Sequence, residues 1–415
     1  MKNIFFLICG LLITLVGYAQ NRHAKDWEED LDYISQVLPQ VHYDLYAVKN
    51  SDYFLHGIKN IKSSVDQLSD FQIVVRLQQL IASMGDSHTN VNFGQLVDKD
   101  KVLPLYILWF SDGLYILHTT PEHEEILGHR IISINQTPIE QVIDSLSSLV
   151  TVDNPSSIKS SMPNTLLFVQ ILEDFKITKD SKIILGLEDL HRTRKNYRIE
   201  PELMTGKNRK VFKPDSLALC FKNKKAYFID YYQAHDKIYY IQYNKCWSKE
   251  LDIKYRNGKD AEKIPSFNEF EENIFKNLKT KPIDKIVFDL RFNGGGNSSQ
   301  GTAFIEKFAH KNPDIKIFVV LGRHTFSSAI INAMDFKKMT NATFVGEATK
   351  GKPNHYGDVK NFELPHSGLR INYSTKYFKR SAVDMNSLEP EVEKEMSFRD
   401  YKKGIDPVYD WIREQ

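Results

Sequence analysis

From residue 238 to 346 the sequence alternates between short apolar runs and longer amphipathic ones, and few folds accommodate that order. Strands are expected at 238–243, 285–290, 316–321 and 342–346, with helices at 265–279, 298–309 and 327–338. Runs such as Ile317-Phe318-Val319-Val320-Leu321 are rich in β-branched residues and continuously apolar, the pattern of buried strands. Strand-helix alternation of this kind specifies an α/β core.

One junction in that core carries chemistry. Gly322-Arg323-His324-Thr325 breaks the strand, and Phe326, Ile330, Ala333 and Met334 then share one helix face. Ser327 and Ser328 therefore sit where a strand turns into a helix. Unpaired backbone N–H groups and the positive end of the helix dipole favour negative charge on oxygen there. A nucleophilic serine needs that setting, and a plain helix N-cap uses it too.

Two glycine-rich stretches flank this junction. Asp289-Leu290-Arg291-Phe292-Asn293-Gly294-Gly295-Gly296 follows a buried strand and precedes a helix. Three glycines let backbone N–H groups approach a ligand closely, as a phosphate cradle or an oxyanion hole. The Lys-Ser/Thr ending of a P-loop and the GxGxxG spacing of a dinucleotide site are missing. Residues 346–358 form a second glycine-punctuated loop, with Lys352 25 residues beyond Ser327. A desolvated lysine can deprotonate a serine, whereas an exposed one stays charged at neutral pH.

Ahead of this core, residues 22–84 carry helical periodicity, notably Trp27, Leu31, Ile34 and Leu38, and the run from Phe71 to Met84. That run ends in Gly85-Asp86-Ser87-His88-Thr89, a polar turn. His88, one of 13 histidines, has the chemistry of a general base and equally that of a surface residue. Residues 102–134 alternate apolar and polar and suggest a small β-rich unit. The stretch 150–235 is the least patterned, and a boundary is expected near 235.

Lys2, the apolar run 4–16 and Gly17-Tyr18-Ala19 make residues 1–19 a signal peptide. The mature chain is thus expected to be exported, periplasmic or extracellular, without an integral membrane segment. With 55 basic and 53 acidic residues, the net charge of +2 argues against nucleic acid as a partner. Beyond Cys9, inside the leader's apolar run, only Cys220 and Cys246 remain. They allow a disulfide or two separate thiols, and with no CxxC or Cys/His cluster they make no zinc site.

Taken together, DLRFNGGG at 289–296, TFSSA at 325–329 and GEATKGK at 346–352 resemble, in order and spacing, the S41 serine peptidases. That family includes tail-specific (C-terminal processing) proteases and the tricorn core. The resemblance is strongest over 236–415, extends to 85–89, and is loose over 102–150. It implies a crotonase-like (ClpP/crotonase-type) α/β catalytic core at 236–415. Ahead of it would lie an N-terminal helical region (22–95) and a small β-rich, loosely PDZ-like domain with its connection (96–235).

By the same register Ser327 is the nucleophile and the amides of Gly295 and Ser328 form the oxyanion hole. The family uses two bases. One is a histidine in a GDxHT-like turn with an acidic partner, here His88 with Asp384, Glu389 being a fallback. The other is a lysine after the GE dipeptide, here Lys352. The His88–Asp384 arrangement is favoured, because the 85–89 turn has no part in the lysine mechanism. His324 and His355 lie nearer to Ser327 in sequence; they have no family counterpart as base, and either stays open as one. Where tail-specific members carry a glutamate three residues after the nucleophile, this chain has Ile330.

The expected function is that of a serine endopeptidase attacking unfolded or C-terminal peptide segments through an acyl-enzyme, with no cofactor or metal. The alternatives are a peptide- or lipid-binding protein without turnover, since S41-like folds include a retinoid-binding protein of the eye, and a hydrolase of non-peptide esters.

Overall fold

The structure is a computed structural model that describes residues 23–311 and 315–415. The expected leader at 1–19 lies outside the described residues. Among those residues no helix is long and apolar enough to cross a membrane.

The α/β core is a six-stranded sheet. Its strand order is Val392–Glu393, Thr343–Gly346, Lys316–Leu321, Lys285–Asp289, Ile238–Tyr243, Phe228–Gln233. All neighbours are parallel except the last pair. Alternation within the strands sorts side chains to two faces, as a period of two requires. Tyr239, Ile241, Ile286, Phe288, Ile317 and Val319 pack with the helices Phe267–Thr280, Ser299–Lys311 and Ser328–Met339. Tyr240, Val287, Phe318 and Val320 pack instead with Val408 and Ile412 of the helix Pro407–Glu414. Covering both faces is what makes the strand sequences continuously apolar. The edge strand Phe228–Gln233 forms a hairpin with Ile238–Tyr243, so this sheet spans residue 235, where a boundary was expected.

The β-rich unit is an antiparallel sheet of Tyr106–Phe110, Gly113–Thr119, Arg130–Ile134, Ile183–Glu188 and Arg194–Ile199. The helix Ile139–Leu146 lays Ile139, Val142, Ile143 and Leu146 against its core. Two helices in the poorly patterned stretch, Pro155–Thr165 and Val169–Asp174, complete that core through Met162, Val169 and Leu172.

The N-terminal helices, residues 23–41, Ser51–Lys62 and Asp70–Ser83, do not close a core by themselves. They share one with Leu364, Leu369 and Ile371 of a distant hairpin, His355–Glu363 with Arg370–Phe378. The same hairpin pairs with Asn90 and Val91, immediately after the 85–89 turn, through Asn372 and Ile371. Buried Asp30 clamps the hairpin tip by accepting from the amides of His366 (2.9 Å) and Ser367 (2.8 Å). Asp30→Ala would leave both donors unpaired at a partly buried site. The expected loss is about 3 kcal/mol of stability, measurable as a lower midpoint in urea unfolding.

Candidate active site

Three loops meet at the carboxyl ends of three adjacent parallel strands, where ligand sites form in sheets of this type. The glycine turn follows Lys285–Asp289, the serine junction follows Lys316–Leu321, and the 346–354 loop follows Thr343–Gly346.

Ser327 has φ +54° and ψ −124°, a conformation that side chains other than glycine rarely adopt, and its hydroxyl makes no capping hydrogen bond. Such a backbone costs on the order of 1–3 kcal/mol and persists only where neighbours over-determine it. They do so here. Thr325 Oγ1 donates to Leu290 O (2.9 Å) and accepts from Gly322 N (3.0 Å), Phe326 N donates to Asn293 O (3.0 Å), and Ser328 Oγ donates to Gly296 O (2.8 Å). The serine junction and the glycine turn are thus stitched together.

Gly295 explains the need for glycine. At φ +103°, a β-carbon there would lie 2.8 Å from Ser327 Cβ and 3.0 Å from Phe326 O. The amide of Gly295, expected as an oxyanion donor, is already engaged: it donates to Asn293 Oδ1 at 2.9 Å. Asn293 is fully buried and also donates to Tyr243 O (2.8 Å), so it fixes the turn from beneath. Ser328 stands at the first turn of its helix, where the amides have no intrahelical partner.

The hairpin pairing with Asn90 and Val91 carries His88 to this junction. Its ring stacks on Phe326, next to Ser327 in the chain (centroids 4.4 Å, 20°), and faces His355 on a parallel plane (5.6 Å, 13°). Both ring nitrogens are buried without a hydrogen-bond partner. Burial, with smaller contributions from His355 and Lys350, outweighs the attraction of Asp86 and takes His88 down to about 4. The imidazole is therefore neutral at neutral pH.

The carboxylate beside His88 is Asp86, not Asp384. Asp86 Oδ1 lies 3.9 Å from His88 Nδ1 and accepts from the His88 amide (2.9 Å). Its Oδ2 accepts from Thr89 Oγ1 (2.5 Å) and His42 Nε2 (3.0 Å). His42 Nδ1 accepts from Asp44 N, which leaves Nε2 as the donor. Burial raises Asp86, but hydrogen bonds from His42, Ser374, Thr89 and the His88 amide win and bring it to about 2. Asp384 is exposed and accepts from Asn354 Nδ2 (2.6 Å), and it makes no hydrogen bond to the His88 ring, whose nitrogens have no partner. Glu389 is likewise exposed, beside Ser387 Oγ.

Lys352 is 36% exposed along its side chain and pairs with Asp153 at 3.3 Å. The lysine packed over Phe326 is Lys350, 5.4 Å from the ring centroid and lowered by burial. Asn154, absent from the sequence expectations, holds this loop by donating to Thr349 O, Lys350 O and Asn386 O. His355 Nδ1 faces the carbonyls of Lys352 and Pro353, and His324 Nδ1 meets Ser160 Oγ at 2.9 Å. Cys220 and Cys246 are separate buried thiols.

No protein-family model matches the chain, and no curated protein does. Among solved structures, mature CPAF complexed with lactacystin superimposes with a TM-score of 0.65 at 13% identity, covering 94% of this chain and 98% of that one. Mature CPAF alone gives 0.65 at 12% identity, covering 94% and 96%. A CPAF mutant gives 0.62 at 13%, covering 94% and 97%. The chain shares their fold across nearly its whole length.

Gly295→Ala places a methyl group against Ser327 at a backbone angle alanine resists. It is expected to lower stability by about 1–3 kcal/mol in chemical unfolding. Gly294→Ala, whose added carbon meets nothing within 4 Å, should leave the midpoint unchanged.

Proposed function

We propose that the chain is a serine hydrolase of peptides in which Ser327 is the nucleophile and His88 the general base. The observation that carries this reading is the pairing of a strained, uncapped serine with a buried, neutral, unpartnered imidazole stacked on Phe326, the residue just before it in the chain. The S41 resemblance of the three loops and the 85–89 turn supports it, and it is the source of the peptide substrate class, the crotonase-like and PDZ-like names, and the mode of cleavage.

In this mechanism His88 accepts the Ser327 hydroxyl proton as Oγ attacks the carbonyl carbon. The tetrahedral oxyanion is met by the Ser328 amide and the glycine turn, with Gly295 exchanging its bond to Asn293 for one to substrate. Collapse to an acyl-enzyme transfers the proton to the leaving amine. Water, deprotonated by the same imidazole, then releases the acid. Asp86, ionised and 3.9 Å from Nδ1, stabilises the imidazolium formed on the way, the role expected of Asp384. Lys352 is the lesser candidate, since its ammonium is committed to Asp153. The leader-like sequence of residues 1–19 supports an exported location in the same proposal.

A binding protein without turnover is the second reading, favoured by the engagement of the Gly295 amide with Asn293. A fluorophosphonate probe separates the two. It is expected to label wild type on Ser327 and not Ser327→Ala, and unlabelled wild type would end the hydrolase reading. For turnover of a denatured protein, His88→Ala should lower kcat by about 10²–10⁴, and Lys352→Ala by less. A base must be unprotonated to act, so kcat/KM should fall only as pH drops through about 4, well below the ordinary histidine range. An acid limb on the alkaline side of neutrality would move the role to a lysine.

A further inference from the structure

A cavity of about 310 Å³ lies beside the candidate site, and Ser327, His88 and Gly295 are not among its lining. The strand Tyr106–Phe110 forms one wall and the helix Pro155–Thr165 another. The remaining walls are Phe221 to Lys225 and the loop segments around Arg291 and Arg323. The volume is at the small end of the range for organic ligands. Trp109, Phe110, Phe221 and Phe292 supply aromatic surface.

The charge of the lining is one-sided. Lys159, Lys224, Lys225, Arg291 and Arg323 face a single lining carboxylate, Glu347. Three of the cations are matched. Arg323 pairs with Glu347 (2.6 Å) and Glu395, Lys159 with Glu395 (3.0 Å), and Arg291 with Asp289 (2.8 Å) and Asp406 (3.0 Å). Arg291 still has a buried Nη2 without a hydrogen-bond partner. Lys224 and Lys225 have no carboxylate partner among the described residues.

Lys224 is moreover held in place. Its ammonium donates to Tyr106 Oη (3.2 Å) and lies 5.4 Å from the Tyr106 ring centroid and 5.5 Å from that of Phe221. A free surface lysine loses rotamer entropy when it binds an anion, and one already fixed between two rings loses less. Ser160 Oγ, hydrogen-bonded to His324, adds a polar group to the same wall.

We propose that this cavity binds a small organic carboxylate with an aromatic or alkyl body. The carboxylate sits at Lys224 and Lys225, and the body packs against Trp109, Phe221 and Phe292. The ligand is a free acid of this kind. The site stands on its own lining and does not depend on the peptidase reading. Because Phe292 and His324 lie in the segments that lead to Gly295 and Ser327, an occupant touches both loops of the candidate active site from behind.

The test is a titration of the full chain with phenylbutyrate and, separately, its neutral amide, followed by tryptophan fluorescence, with Trp109→Phe identifying the reporting side chain. The acid is expected to bind saturably and about tenfold or more tighter than the amide, a gap of about 1.4 kcal/mol or more. Lys224→Glu with Lys225→Glu should weaken the acid at least about tenfold while leaving the amide unchanged. Should the double variant not fold, Lys225→Glu alone, at an exposed position, carries the same expectation in smaller measure. Ser327→Ala and His88→Ala should bind the acid as wild type does, so a failed peptidase reading leaves this result standing. Equal binding of acid and amide, no saturation up to about 10 mM, indifference to charge reversal, or loss of binding in Ser327→Ala would each overturn it.

Discussion

The close approach of Gly295 to Ser327 is the contact on which the site rests. A serine at φ +54° is held there only because the glycine turn supplies carbonyl acceptors to Ser328 and Phe326, and the turn approaches that near only because residue 295 lacks a β-carbon. The sheet beneath makes the meeting unavoidable. Parallel neighbours end on the same side, so loops that follow adjacent strands are delivered to one place. Asn293 then locks the glycine turn from the buried side.

Electrostatics at the site follow from what is and is not wetted. His88 lies between the rings of Phe326 and His355, surroundings that penalise charge and offer its nitrogens no partner. Asp86 is just as buried, yet it accepts hydrogen bonds from His42, Thr89 and a backbone amide, so the same burial leaves it ionised. Two titratable groups two residues apart are both lowered, one by burial and the other by hydrogen bonds, which leaves the imidazole neutral and the carboxylate charged. A neutral imidazole facing a permanent carboxylate is the arrangement that receives a proton without having released one to solvent first.

Much of the central sheet was legible because its strands are buried on both faces, and the resulting apolar runs differ sharply from the amphipathic helices between them. Ser327 and the glycine turn were legible for a related reason: local backbone demands leave a local mark, as three successive glycines do. The hairpin over residues 355–378 was not foreseen. The continuous apolar run that marks Lys316–Leu321 is missing there, since His355–Glu363 buries only its first and third residues, and its partners Asn90 and Val91 are remote in the chain. The acidic neighbour of His88 was misplaced for the opposite reason. Asp86 lies in the Gly85–Thr89 turn, but a carboxylate two residues away is read first as turn chemistry, and only the tertiary placement of His42 shows what holds it. Asn154 and the helix it caps lay in a stretch with neither period, and its three carbonyl acceptors belong to residues far along the chain.

The pairing of Asn90 with Asn372 joins positions 282 residues apart. His88 is positioned by that ladder, and its aromatic neighbours Phe326 and His355 also come late. A chain emerging in order from its N-terminus therefore makes the imidazole early and the surfaces that seat it last. Until the segment through residue 378 has folded back, the serine and the histidine have no common scaffold. In a growing polypeptide the proposed pairing of Ser327 with His88 therefore waits on the late segments by connectivity alone.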